Sequence, residues 1–137
     1  MIKIYSNKKK WKLLHIIYNL KLITKKRFDL CNETFFLQSA CLNLNNGNKF
    51  LPHMHIWKKP RYQKTIAQES WLVLRGKVLF YAYDIDGSLI KKVLLNKWSV
   101  TFTFEGGHTY EALTKNTKVL EYKTGPYEGI KRDKVYI

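Results

Sequence analysis

The chain has little cysteine and no long apolar run, and each of these absences excludes a class of protein. Its 137 residues include two cysteines, Cys31 and Cys41, with no CxxC pair. A disulfide-stapled secreted domain is therefore excluded, and we expect two reduced thiols in a cytoplasmic protein. No segment reaches the roughly 20 predominantly apolar residues that a membrane-spanning helix needs, so we expect no transmembrane segment.

Acidic residues are also scarce. The chain has 10 Asp and Glu against 25 Lys and Arg, which gives a formal net charge of +15 at pH 7. This charge attracts anionic partners at long range, although a chain rich in Lys, Asn and Ile also fits a bias in codon usage. No helix-turn-helix, zinc-finger or RNP pattern accompanies the charge, so we expect an anionic small molecule rather than nucleic acid as the partner.

Low-complexity tracts and Ser/Gly-rich linkers are missing as well, and 137 residues suit one domain with a real core. Residues 11–23 carry apolar side chains at spacings of three and four, which predicts a short amphipathic helix. These side chains are Leu13, Ile16, Ile17, Leu20 and Ile23. We expect the helix to pack on the body of the protein or on a second subunit. A membrane surface is the less favoured alternative, because Lys12 and Lys21 interrupt the apolar face.

From residue 34 onward the pattern predicts strands. Segments rich in β-formers run over residues 34–44, 50–57, 69–75, 77–83, 89–95, 99–104, 108–113 and 117–123, and an Asp-Gly pair predicts a hairpin turn over 84–87. Many short strands at even spacing indicate a closed barrel or a jelly roll. We therefore predict an all-β fold with a short N-terminal α-helix. The helix belongs to a basic extension over 1–28, and the barrel domain covers 29–137.

Four residues in this series have the chemistry of metal ligands. Alternate side chains of a strand share a face, so His53 and His55 point to the same side. Glu69 shares a strand face with Trp71, where an unpaired charge would be costly, and a third histidine follows at His108. Three imidazoles and one carboxylate suit one divalent transition metal ion, namely Fe, Mn, Ni, Cu or Zn, better than Mg or Ca. Alternatively, Glu69 is a general base beside a metal-bound water.

The same residues resemble the two sequence motifs of the cupins. His53-x-His55, Glu69 and Gly76 resemble the first motif, and Gly107-His108 resembles the second. The chain departs from the pattern twice. The gap between His55 and Glu69 is longer than usual, so we expect residues 56–68 to form a longer loop at the barrel mouth. The customary Pro-Gly-x-x-His has become Phe-Glu-Gly-Gly-His over 104–108, where the glycines still permit the tight turn.

The end of the chain resembles one group of cupins more specifically. Lys123-Thr-Gly-Pro-Tyr127, followed by Asp133-Lys134, is similar to the WbuC-type cupin-fold metalloproteins, and the resemblance covers roughly residues 29–134. It implies a double-stranded β-helix, the jelly-roll barrel of the cupins, that binds one divalent metal ion through the four residues above and forms a homodimer. It also implies a role in surface-polysaccharide biosynthesis of the O-antigen type.

The resemblance leaves three hypotheses open. The first is a metal-dependent isomerase or epimerase that acts on a carbohydrate or nucleotide-sugar precursor. The second is an Fe(II)-dependent dioxygenase, and the third is a non-catalytic module that binds a small molecule.

Besides the four predicted ligands, five residues are candidates for this site, one for proton transfer and four for substrate binding. Glu69 or Tyr83 would move a proton, although core packing also explains Tyr83. The candidates for binding an anionic substrate are Arg61, Lys64, Lys123 and Tyr127. A solvated loop around 61–64 explains Arg61 and Lys64 slightly better than a phosphate site does, and a structural turn at 125–126 explains Lys123 and Tyr127 equally well.

Overall fold

The computed structural model describes residues 1–32, 34–46, 48, 51–52, 54, 66–124 and 134–137, and these residues form an all-β fold. The strands are β1 (Ile2–Tyr5), β2 (Leu13–Asn19), β3 (Arg27–Asp29), β4 (Ala40–Leu42), β5 (Glu69–Arg75), β6 (Val78–Tyr83), β7 (Leu89–Leu95), β8 (Ser99–Thr103), β9 (Gly107–Ala112) and β10 (Lys118–Lys123). A single 3₁₀ turn, Leu20–Leu22, follows β2. The predicted all-β class is confirmed.

Five strands form one antiparallel sheet in the order β1-β2-β8-β5-β10. β2 lies between β1 and β8, and residues 14–18 of this strand are all buried. β8 is buried along its whole length, because it lies in the middle of the sheet between β2 and β5. This sheet is the central layer of the described structure.

Three further strands form a second antiparallel sheet in the order β7-β6-β9. The predicted hairpin over 84–87 joins β6 to β7, with the Asp84 backbone N–H donating to the Ser88 carbonyl at 2.8 Å. Along β6, buried residues alternate with less buried ones, and the buried side chains are Val78, Phe80 and Ala82. These three side chains face the five-stranded sheet and form half of the core between the sheets.

Two hydrophobic cores cover the two faces of the five-stranded sheet. The first core lies against the three-stranded sheet and consists of Ile4, Ile17, Val73, Val78, Phe80, Ala82 and Leu95. The second core lies on the opposite face, where residues 20–32 and 34–42, which include the small β3–β4 sheet, cover it. Its buried members are Ile16, Tyr18, Leu30, Cys31, Val100, Phe102 and Phe104. The described chain is therefore built in three layers.

The predicted N-terminal α-helix is wrong. Residues 13–19 form strand β2, and the last apolar residues of the predicted helix belong to the 3₁₀ turn and the chain after it. The apolar run Leu-Leu-His-Ile-Ile-Tyr is continuous rather than alternating, because both faces of the sheet are covered at β2. Periodicity alone does not separate such a buried strand from a helix. β1 and β2 thus lie in the same sheet as β5, β8 and β10.

Most of the later strand predictions coincide with observed strands. The segment predicted over 34–44 is limited to Ala40–Leu42, and the one predicted over 50–57 falls largely outside the described residues. Among the described residues, no helix has both the length and the apolar composition needed to cross a membrane.

Candidate metal centre

A polar cluster lies at one end of the space between the two larger sheets. Glu69 begins β5 in the five-stranded sheet, and His108 is the second residue of β9 in the three-stranded sheet. His108 Nε2 lies 3.0 Å from Glu69 Oε1, so a hydrogen bond joins the two sheets at this point. Both side chains remain partly open to solvent, with 23% of His108 and 15% of Glu69 exposed. The structure thus brings two of the predicted ligands into contact.

The strand registers explain why the two side chains meet. His108 is opposite Ala82 on β6, and Ala82 faces the first core. Glu69 shares its face of β5 with Val73, which also belongs to that core. Because directly opposite residues of an antiparallel pair share a face, His108 and Glu69 both turn into the space between the sheets.

Glu69 is held in its ionised form. Burial opposes ionisation, but the hydrogen bond and the charge of His108 outweigh this effect and hold the Glu69 pKa below its ordinary value. The charge of Lys134 acts in the same direction. The indole N–H of Trp71 also lowers the Glu69 pKa, by less than His108 does. At neutral pH the site therefore offers a carboxylate oxygen beside an imidazole nitrogen.

Two aromatic rings separate this cluster from the apolar core. The rings of Trp71 and Tyr110 stack with centroids 3.9 Å apart and planes within 1° of parallel. The Tyr110 hydroxyl lies 2.8 Å from Thr101 Oγ1, and burial raises the Tyr110 pKa. Tyr110 is thus a neutral phenol, and it forms the floor of the polar cluster together with Trp71.

His15 is a further member of this polar end that the sequence pattern did not identify. Its side chain is fully buried, with Nδ1 3.1 Å from Thr103 Oγ1 and Nε2 3.5 Å from the Tyr83 carbonyl. A carbonyl only accepts, so Nε2 carries the proton and Nδ1 accepts from the threonine hydroxyl. Burial lowers the His15 pKa to about 4. His15 is a neutral residue that links β8 of one sheet to β6 of the other.

One signal in the sequence could have identified His15. It is the only polar residue in an otherwise apolar run from Leu13 to Tyr18. Once that run is assigned to a strand covered on both faces, its histidine must be buried and must have hydrogen-bond partners.

The other predicted site residues have different placements. His53, His55, Arg61, Lys64 and Tyr127 lie outside the described residues. Lys123 is described, and it lies directly opposite Glu69 in the β5–β10 pair. Tyr83 alternates with Ala82 on β6, so its side chain lies on the face that turns away from the first core. Its backbone carbonyl, rather than its phenol, contacts the polar cluster.

The donor chemistry of the pair fits the implied metal ion. An imidazole nitrogen and an ionised carboxylate are ligands of Fe, Mn, Ni and Zn, and both are reachable from solvent here. Among the described residues there is no group of three or more His, Cys, Asp and Glu side chains with a geometry suited to a metal ion. Glu69 and His108 are thus the two predicted ligands that the described residues bring together, whereas His53 and His55 lie outside those residues.

Two grooves lie elsewhere on the described surface. One has a volume of about 280 Å³ and is lined by residues that include Tyr18, Leu22, Lys25 and Phe28. The other, of about 300 Å³, is lined by residues that include Leu30 and Cys31. Both are lined by residues between Met1 and Phe35 and by no residue of the polar cluster, so they do not form part of the candidate site.

Comparison with known proteins adds no assignment. The chain matches no protein-family model, no curated protein and no solved structure. Inference about function therefore depends on the geometry of the polar cluster and on the sequence motifs.

Proposed function

We propose that the protein binds one divalent transition metal ion at the polar end of a cupin-type jelly-roll barrel. The proposed ligands are His53, His55, Glu69 and His108. The observation that supports this most strongly is the 3.0 Å contact between His108 Nε2 and Glu69 Oε1, because the two residues come from different sheets and are 39 positions apart in the chain. The sequence resemblance to cupins includes the same two residues among its four implied ligands, although the gap between His55 and Glu69 is longer than usual.

The surroundings of the pair support a role in ligand binding. The low pKa of Glu69 keeps the carboxylate charged at neutral pH, as a metal ligand or a proton acceptor must be. The stacked rings of Trp71 and Tyr110 lie beside the pair, with the Tyr110 ring centre 5.5 Å from that of His108. A bound divalent ion would polarise a carbonyl or hydroxyl oxygen of a ligand.

We further propose that the ligand is an anionic carbohydrate or a nucleotide-linked sugar. The net charge of +15 attracts such molecules at long range. Lys134 acts electrostatically on Glu69, and Lys123 is opposite Glu69 in the sheet, so two lysines lie near the proposed metal. The reaction class that we propose for such a ligand is a metal-dependent isomerisation or epimerisation.

A calorimetric titration with Zn²⁺ and with Mn²⁺ tests the metal site. We expect saturable binding to the wild-type protein and a loss of affinity of at least about 100-fold in Glu69→Gln and in His108→Ala, because removal of a ligand costs more than the 10–100-fold typical of outer-shell partners. Glu111→Gln is the matched control, since Glu111 lies on the same strand as His108 but is exposed and paired with Tyr81. Equal affinity in all four proteins would exclude the site.

A panel of nucleotide sugars tests the proposed ligand class. We expect one or more of them to bind the metal-loaded wild-type protein and to bind Glu69→Gln more weakly. Binding without turnover would favour the non-catalytic module, and failure to bind any member of the panel would contradict the proposed ligand class.

A further inference from the structure

The loop between β1 and β2 presents an exposed tryptophan in an unfavourable backbone conformation. We call residues 6–12 the Trp11 loop. Trp11 is 79% exposed, although an indole ring of this size is usually well buried. Its φ is +64°, a left-handed conformation that bulky side chains rarely adopt. Such strain in a surface residue often marks a functional position.

A buried cluster of hydrogen bonds holds the Trp11 loop in this shape. The Ser6 hydroxyl donates to Asp84 Oδ1 at 2.6 Å, and the Asn7 backbone N–H donates to Asp84 Oδ2 at 2.7 Å. The Lys9 backbone N–H donates in turn to Ser6 Oγ at 2.8 Å. Asp84 is almost completely buried, so the loop is anchored to the hairpin between β6 and β7. The exposure of Trp11 is therefore a property of a rigid loop.

Positive charge surrounds the exposed ring. Lys8 pairs with Asp86, and Lys12 pairs with Glu105. Lys9 and Lys10 are exposed and have no acidic partner in the part of the chain that the structure describes. The Lys10 ammonium lies 5.8 Å from the centre of the Trp11 ring. The tip of the loop thus combines one apolar ring with two unpaired ammonium groups.

We propose that the Trp11 loop docks the protein on the surface of an anionic lipid bilayer. Tryptophan partitions to the headgroup level of a bilayer, where its apolar body and its N–H are both satisfied. Lysines beside it are attracted to anionic headgroups. A single protruding ring with charge at its base fits a broad, flat surface.

Single-stranded nucleic acid is a poorer fit. It needs several rings on which successive bases stack and a basic groove that follows the backbone. Among the described residues of the Trp11 loop, Trp11 is the only aromatic residue.

Docking would also orient the molecule. The loop contacts the 84–88 hairpin through Ser6 and the turn before β9 through the pair Lys12–Glu105. His108 is the second residue of β9, which follows that turn, and His15 is the third residue after the loop ends. The polar end of the molecule therefore lies beside the Trp11 loop and would face the bilayer. The docking proposal itself does not depend on the proposed metal site.

Co-sedimentation of the full chain with vesicles tests the proposal. The vesicles contain equal parts of phosphatidylcholine and phosphatidylserine, and vesicles of phosphatidylcholine alone serve as the neutral comparison. We expect binding to the anionic vesicles only. Trp11→Asn should weaken it about tenfold, because even partial insertion of the indole ring removes much apolar surface from water. Lys9→Ala/Lys10→Ala should weaken it about 30-fold.

Trp98 and Lys25–Lys26 provide matched controls. Trp98 also has a positive φ, of +71°, and lies beside a lysine, but it precedes β8 at the opposite end of the sheet. We expect Trp98→Asn and Lys25→Ala/Lys26→Ala to bind vesicles like the wild-type protein. Asparagine tolerates the left-handed conformation, so Trp11→Asn should melt at or above the wild-type temperature, which separates lost docking from lost folding.

Three outcomes would overturn the proposal. The first is a wild-type protein that does not bind anionic vesicles. The second is binding that Trp98→Asn weakens as much as Trp11→Asn does. The third is binding to an oligothymidylate probe, lost in Trp11→Asn, in a protein that does not sediment with vesicles.

Discussion

At the scale of single residues, the polar end of the molecule depends on partly or fully buried polar side chains that have hydrogen-bond partners. Glu69 has His108 as its partner across the sheets, and His15 has a threonine hydroxyl and a backbone carbonyl. The sequence motifs identified Glu69 and His108, because spacing and chemistry are visible in the sequence. They did not identify His15, because its role depends on which strands surround it.

His15 makes stability depend on pH in a defined window. The folded protein holds it neutral down to a pKa of about 4, whereas the unfolded chain protonates it near its ordinary value of 6.5. The unfolded state therefore binds more protons between these values, and stability falls as the pH falls through this window. We expect His15 to contribute a loss of about 3 kcal/mol in the free energy of unfolding from pH 7 to pH 4.

Urea denaturation at several pH values measures this effect. His15→Asn should be less stable at pH 7 but should show a shallower decline toward pH 4 than the wild-type protein. The carboxylates of Glu69, Asp84 and Asp86, whose pKa values are lowered in the folded protein, also lose stability toward pH 4, but they are present in both proteins and cancel in the comparison. The same decline in wild type and variant would show that His15 is not held neutral.

The turn before His108 requires a glycine at position 106. The φ of Gly106 is +80°, and an added Cβ would lie 2.6 Å from the Tyr83 carbonyl oxygen. We expect Gly106→Ala to destabilise the fold by about 2–4 kcal/mol, from the left-handed conformation plus the backbone clash.

Gly87→Ala is its control in the same denaturation measurement. Gly87 has a φ of +83°, but its added Cβ would meet only the Ile137 side chain at 3.4 Å. We expect a cost of about 1 kcal/mol from the backbone conformation alone. Equal costs at the two glycines would contradict the close approach of the Gly106 turn to β6.

At the scale of elements, the strands were predictable where hydrophobicity alternates or a turn is explicit. Buried and less buried residues alternate along β6. The turn that follows this strand is closed by a hydrogen bond from the Gly87 backbone N–H to the Asp84 carbonyl. β2 was assigned to the wrong class because both of its faces are buried. Only the presence of two covering layers resolves that ambiguity, and those layers come from distant parts of the chain.

Leu14 distinguishes the strand from the predicted helix. It is fully buried in β2, whereas the apolar face predicted for a helix does not include it. We expect Leu14→Ala to lower the free energy of unfolding by about 2–5 kcal/mol. Leu22→Ala should change it by no more than about 0.5 kcal/mol, since Leu22 is 76% exposed. Chemical denaturation of both variants makes the comparison, and a small cost at Leu14 would favour the helix.

At the scale of the whole molecule, composition and strand count predicted the all-β class, and long-range pairing decided the arrangement. The order β1-β2-β8-β5-β10 brings the first strands beside some of the last ones. This pairing places the Trp11 loop and the Glu69–His108 pair at the same end of the molecule. The predicted homodimer stays a prediction, as does the division of the chain at residue 28.

Metal content is the most direct test of the proposed centre. Elemental analysis compares wild-type protein, purified without chelator or affinity nickel, with His53→Ala/His55→Ala and with Glu69→Gln/His108→Ala. If Glu69 and His108 hold one ion together with His53 and His55, the wild type contains close to one equivalent of a transition metal, and both variants lose it. Metal-free wild-type protein, or metal retained in both variants, would contradict a metal centre between the sheets.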